Sequence, residues 1–244
     1  MASALEKTFQ IYAQSFRLIA ASSALVLFSL VLLYFIASYV AGGASFLRFS
    51  SVYLDFSPLQ AIVIAAVALI SLFLLSMFLA ALVTIVKLKE TLDNNSFSKV
   101  AAVFPRYVRR VFTFLLIVGF LSILLGVVLD ALNVPRAITH LILLVFWLVF
   151  TFTPQILVLE DLDIMLALQD TIAFIKRVPQ AVPAYAVFGF VALFLVSVVE
   201  VALGQFLIWE HKVISLMLTL FVALPLLQIF ATEYYIQRYP LSKL

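Results

Sequence analysis

The chain has 244 residues, of which 66% are hydrophobic and 11% charged, with a net charge of +3 and no cysteine. Soluble domains are nearer ~50% apolar and ~25% charged, so water cannot be the main solvent of this polypeptide. Disulfides, thiolate chemistry and cysteine-ligated metals are excluded, and so small a positive surplus is no argument for nucleic acid.

From the N-terminus, residues 3–17 place Leu5, Phe9, Tyr12 and Phe16 on one helical face, with Glu6, Lys7, Gln10, Gln14 and Arg17 elsewhere. That pattern predicts a helix lying in the membrane interface. Apolar stretches follow at 18–40, 59–86, 111–132, 137–159, 186–209 and 213–234. Each reaches the length of about 20 residues that a helix needs to cross ~30 Å of hydrocarbon. The runs are continuous rather than alternating in polarity, so helices are predicted and barrel strands are not.

Between the second and third spans, Asn94 and Asn95 predict a turn, and Ser96 or Ser98 a cap. Pro105 is expected in the first turn of the third span, where its missing N–H costs nothing. Arg106, Arg109 and Arg110 then fall at headgroup level, as topological anchors or as contacts to anionic lipid. Gly119 and Gly126 share a face and suggest close helix packing. Pro154 and Pro225 interrupt the fourth and sixth spans, each freeing a carbonyl one turn earlier, and Thr151 and Thr153 are placed to satisfy such groups. Asp161 or Asp163 is expected to cap a short helix with the apolar stripe Ile164, Leu168, Ile172 and Ile175. Lys176 and Arg177 close that helix at its negative end, and Pro179 and Pro183 stop it.

Twelve of the fifteen Lys and Arg residues fall on one side of this layout, and only Arg48, Arg136 and Lys212 on the other. The positive-inside rule then places both termini in the cytoplasm of a multi-pass cell-membrane protein. The fold expected is all-α and polytopic: a single integral membrane domain of six transmembrane helices, arranged as three hairpins over 1–86, 87–159 and 160–244, with cytoplasmic interfacial helices before the first and fifth spans. Tyr34, Tyr39, Tyr53, Trp209, Tyr234, Tyr235 and Tyr239 fall near the interfaces, as an aromatic belt does.

The run 154–177, PQILVLEDLDIMLALQDTIAFIKR, carries a resemblance. A proline late in a span is followed by an apolar run, an acidic pair, an Ala-Leu dipeptide and a basic end, here Pro154, Glu160, Asp161, Ala167, Leu168, Lys176 and Arg177. In this it resembles the polytopic membrane domain family associated with bacterial glycerophosphoryl diester phosphodiesterases, and related archaeal and bacterial six-helix membrane proteins. The catalytic activity of that family resides in a separate soluble domain, so the resemblance implies a membrane domain without enzymatic activity.

Ionisable groups inside a membrane are functional candidates by default. Glu200 stands in the outer half of the fifth span, Asp130 near the outer end of the third, with Arg136, His140 and Lys212 close to the same level. These five could form an outward-facing polar cluster. Glu200 either pairs with a basic group or a hydroxyl and holds helices together, or serves a proton- or cation-linked site with Asp130. Glu233 is expected to meet a cytoplasmic cation, with Arg238 in reach. His140 and His211 stand in no zinc-hydrolase frame, and no serine has a nucleophile-elbow frame. No cofactor or metal is expected. The reading is a non-catalytic scaffold, complex subunit or lipid-interacting protein, with membrane lipids and other membrane proteins as partners. The alternatives are a small transporter or channel using Glu200 and Asp130, and an intramembrane lipid-modifying enzyme with its chemistry near Glu160, Asp161 and Asp163.

Overall fold

The computed structural model describes residues 2–39, 58–91, 97–207 and 210–239, and every regular element among them is helical. In chain order these are α1 (Ala2–Gln14), α2 (Phe16–Tyr39), α3 (Pro58–Thr91), α4 (Phe97–Ala131), α5 (Arg136–Phe150), α6 (Thr153–Leu159), α7 (Ile164–Arg177), α8 (Ala181–Gly204), α9 (Glu210–Leu218) and α10 (Leu224–Arg238). A single π turn, Thr219–Ala223, joins α9 to α10. Five helical segments are long and apolar enough to cross a membrane: Ile62–Glu90, Phe104–Ala131, Arg136–Leu159, Ala181–Gly204 and Glu210–Arg238. A sixth is counted if α1 and the following Phe16–Leu32, which meet at 86°, are taken together. The turn expected at Asn94 and Asn95, the cap at Ser96, and the belt residues Tyr53 and Trp209 lie outside the described residues.

Hairpin neighbours pack in sequence, α2 on α3 and α3 on α4, with α8 on α9. The fully buried α6 rests against α3, and α1 and α3 both pack on α10. Packing is concentrated toward one end, where Lys87, Glu90, Arg110 and Asp161 lie; we call it the charged end. Burial in α4 runs from Tyr107 to Val118 and stops, α5 buries nothing, and α8 buries only Ala181, Ala184 and Gly189. Beyond that core, large apolar side chains such as Phe120, Leu141, Phe190 and Val201 are exposed. A water-soluble fold would not leave so much apolar surface open, whereas hydrocarbon accepts it.

The protein-facing side of α1 is Ala4, Thr8 and Ile11, continued by Ser15, small residues that let α1 approach α10 closely, while Phe9 and Phe16 point outward, where lipid can receive them. Two sequence expectations are corrected. Pro105 stands inside α4 rather than at its start, so the segment before it and the span form one helix. Gly119 and Gly126 face open space, with nothing within 4 Å of where a Cβ would stand. The close approach occurs instead at Gly189, whose added Cβ would lie 3.3 Å from Leu227 Cδ1.

Candidate functional site: the charged end of the bundle

The break at Pro225 is repaired by a side chain. Pro225 has no N–H to give the carbonyl of Phe221, four residues earlier, and the Tyr12 hydroxyl donates to that carbonyl at 2.7 Å. α1 is thereby fastened to the π turn of the last span. Near Pro154, the freed carbonyl is that of Phe150, but the Thr151 hydroxyl donates to Trp147 O at 3.1 Å and Thr153 reaches across to the Thr171 hydroxyl at 3.0 Å, so neither threonine takes the expected role. The buried Gln155 amide adds further bonds beside the break: with its nitrogen assigned toward the carbonyls of Thr151 and Phe152, it donates to them at 2.7 and 3.1 Å. Its oxygen then faces the Gln228 amide at 3.0 Å, accepting from it once that amide is turned likewise, and Tyr185 Oη lies 3.4 Å from the other end of the Gln228 amide. This buried polar chain across α6, α10 and α8 had no signal in the sequence beyond two glutamines in apolar runs.

The other end of α6 is closed by Lys87. Its ammonium donates to Val158 O at 2.7 Å, Leu159 O at 2.9 Å and the Tyr107 hydroxyl at 3.3 Å. A cation there meets both the orphan carbonyls and the negative end of the helix dipole.

Ion pairs lock the same end. Lys7 of α1 donates to Glu90 of α3 at 2.9 Å, and that carboxylate holds the Lys7 ammonium above the ordinary lysine range. Arg106 and Arg110 of α4 both reach Asp161, at 3.0 and 2.5 Å, and Arg110 also reaches Asp163 at 3.4 Å. Two of the three arginines read as lipid contacts are thus turned inward to acidic partners, and only Arg109 makes no ion pair among the described residues. Asp163 does occupy the N-cap position of α7, but its carboxylate makes no capping bond and faces Arg110 instead. Asp161 takes φ of 54°, a left-handed conformation that aspartate tolerates better than most residues. In α7 the buried stripe is Ala167, Thr171 and Phe174, flanked by Ile164, Leu168 and Ile175, and the expected member Ile172 is exposed. A groove of about 560 Å³ between α4 and α7 is lined by Arg109, Arg110, Thr113, Asp163 and the half-exposed to exposed Ile164, Met165 and Leu166.

The opposite end is looser. Glu200 accepts a hydrogen bond from the Ser215 hydroxyl at 2.7 Å, joining α8 to α9. No ion pair joins Asp130, Arg136, His140, Glu200 and Lys212 to one another, and all but Glu200 are exposed. The hydroxyl partner gives Glu200 a helix-joining contact. Among the described residues no group of three or more His, Asp or Glu could hold a metal ion.

Glu233 meets a cation only through space, in the charge of Lys7, and without a direct bond. It is fully buried, and neither carboxylate oxygen has a hydrogen-bond partner. Arg238 lies over the Tyr234 ring at 5.8 Å instead of reaching it. No protein-family model, no curated protein and no solved structure matches the chain.

Proposed function

We propose that this chain is a non-catalytic integral membrane scaffold whose charged end faces the cytoplasm and engages anionic lipid headgroups. One observation carries the reading: the balance of charge at that end. Among the described side chains that end carries Lys7, Arg17, Lys87, Lys89, Arg106, Arg109, Arg110, Lys176, Arg177 and Arg238 against Glu6, Glu90, Glu160, Asp161, Asp163, Asp170 and Glu233, ten cations to seven acids. Glu90, Asp161 and Asp163 are ion-paired with Lys7, Arg106 and Arg110, while Arg17, Lys89, Arg109 and Lys176, like Glu6, Glu160 and Asp170, make no ion pair. A surplus of cations at headgroup depth attracts anionic lipid at about 1 kcal/mol per residue. Phe9 and Phe16, exposed on α1, supply apolar contacts at the same level. The positive-inside rule gives the orientation, with six spans as three hairpins and both termini inside. The resemblance carried by Pro154, Glu160, Asp161, Ala167, Leu168, Lys176 and Arg177 agrees with a membrane domain that needs no catalytic site of its own.

The test is mass spectrometry of the lipids and proteins that leave native membranes with the purified chain. Anionic lipid enriched above its bulk share supports the reading, and retention in bulk proportion overturns it. The transport alternative is examined in proteoliposomes: a cation or proton flux abolished by Glu200→Gln, with folding intact, would replace the scaffold reading.

A further inference from the structure

We propose that Glu233, Lys7 and Glu90 form a proton-operated latch: with a proton on Glu233, α1 is held against α10, and loss of that proton lets α1 lift away. The inference stands apart from the lipid reading and needs neither a lipid nor an orientation. Three helices supply one member each, since α10 packs on both α1 and α3. Lys7 of α1 and Glu90 of α3 meet at 2.9 Å. Glu233 of α10 is fully buried and neither of its oxygens has a hydrogen-bond partner, yet the charges of Lys7 and Glu90 both act on it. Buried polar groups are almost always bonded, so an orphan carboxyl beside an ion pair asks for a reason.

The reason lies in the charge count, where one cation serves two acids. With Glu233 as the neutral acid, Lys7 and Glu90 cancel, and the junction carries no net charge. A buried carboxyl without a bond is stable only in that form. Once the proton leaves, two anions face one ammonium, and the surplus charge is both dry and beside a like charge. The other polar groups around α10 are engaged elsewhere. Lys87 of α3 is bonded to Val158 O and Leu159 O, Glu160 accepts from Tyr235, and Gln155 of α6 and Tyr185 of α8 meet Gln228. Arg238 lies over the Tyr234 ring, and Glu6 of α1 is exposed. Relief must come from water, and α1 is the element able to admit it. Its docked face is Ala4, Thr8 and Ile11, small side chains that bury little apolar area, helped by the Tyr12 bond to Phe221 O and an exposed contact of Gln14 with Lys89. Segments with few buried apolar contacts are the ones that open locally.

The experiment reads the docked face of α1 on the full chain in detergent micelles. The chain has no cysteine, so Thr8→Cys reports from the buried face and Gln10→Cys from the exposed one. At each pH the maleimide labelling rate of Thr8→Cys is divided by that of Gln10→Cys, which cancels the ordinary ionisation of a thiol. An opening tied to the loss of one proton grows by about tenfold per pH unit, and the ratio is expected to climb on that scale from mildly acidic to mildly alkaline buffer. With Glu233→Gln or Glu233→Met added, the ratio stays flat at its acidic value, and thermal melts check that both variants fold. With Glu90→Gln added, Lys7 is free to serve Glu233, and the climb is largely lost. A flat ratio without these additions, or a climb that survives both Glu233 variants, overturns the latch. A climb untouched by Glu90→Gln overturns it as well, because the charge count would then not drive the opening. None of these failures bears on the lipid reading, which the co-purified lipids decide.

Discussion

Replacing Lys87 with methionine keeps the aliphatic stem and removes the ammonium. Two strong bonds are lost, to Val158 O at 2.7 Å and Leu159 O at 2.9 Å, along with a longer one to Tyr107. Val158 and Leu159 are both fully buried, so water cannot take over their carbonyls without opening the core. Hydrogen bonds from a charged donor contribute about 1.5–3 kcal/mol each. Lys87 itself is half-buried and regains some hydration when the chain unfolds, which places the net loss nearer the lower sum, about 3–4 kcal/mol. At ~2–4 °C per kcal/mol for a chain of this size, the melting midpoint falls by about 6–16 °C. The assay is thermal or denaturant unfolding in mixed micelles, followed by tryptophan fluorescence. Lys176→Met is the control, an exposed cation whose loss shifts stability by no more than ~0.5 kcal/mol. A Lys87→Met variant within 1 kcal/mol of wild type would show that the end of α6 is not held by this cation.

Tyr12→Phe leaves the Phe221 carbonyl without its donor, and stability should fall by about 1–2 kcal/mol in the same assay; an unchanged midpoint would mean that α1 is not fastened to the π turn. Glu233→Met removes two buried oxygens that have no partner, and should stabilise the fold by about 1–3 kcal/mol. A destabilised variant would reveal a partner for that carboxylate. Gly119→Ala and Gly126→Ala meet open space and should each be neutral to about 1 kcal/mol stabilising, through helix propensity, whereas Gly189→Val should destabilise by about 1–3 kcal/mol as it drives into Leu227. Equal effects at all three glycines would contradict the packing described.

The apolar lengths and both proline breaks were legible because each is local: twenty apolar residues in a row, or one missing N–H, have direct structural consequences. Thr151 was not, since its hydroxyl takes Trp147 O, one turn before itself, rather than the Phe150 carbonyl that Pro154 frees. The partners that repair or lock the structure at long range were not. Tyr12 meets a carbonyl 209 positions later, and Arg110 meets Asp161 across 51. The apolar pattern of α1 did not show which residues dock on α10, because a helix packing in lipid is selected for closeness of approach, which favours Ala4 and Thr8 over Phe9. The same logic misled at Gly119 and Gly126, where a small residue is necessary for close packing but does not create it. Of the outer polar residues, Glu200 found a hydroxyl, one of the two outcomes open to it, and the other four did not gather into an ion-paired cluster. The charged end escaped notice as a unit because its paired acids and bases come from three separate helices and one turn.

Orientation of the packed, charged end toward the cytoplasm is the claim on which the scaffold reading depends. The absence of cysteine makes it directly measurable, since single cysteines need no background removed. Substitutions Gln169→Cys and Gln180→Cys mark the charged end, and Asn133→Cys and Gln205→Cys the opposite one, all at exposed positions. With a membrane-impermeant maleimide applied to intact cells, Asn133→Cys and Gln205→Cys should label at once, and Gln169→Cys and Gln180→Cys only after lysis. The reverse pattern, or labelling of all four in intact cells, would contradict the account.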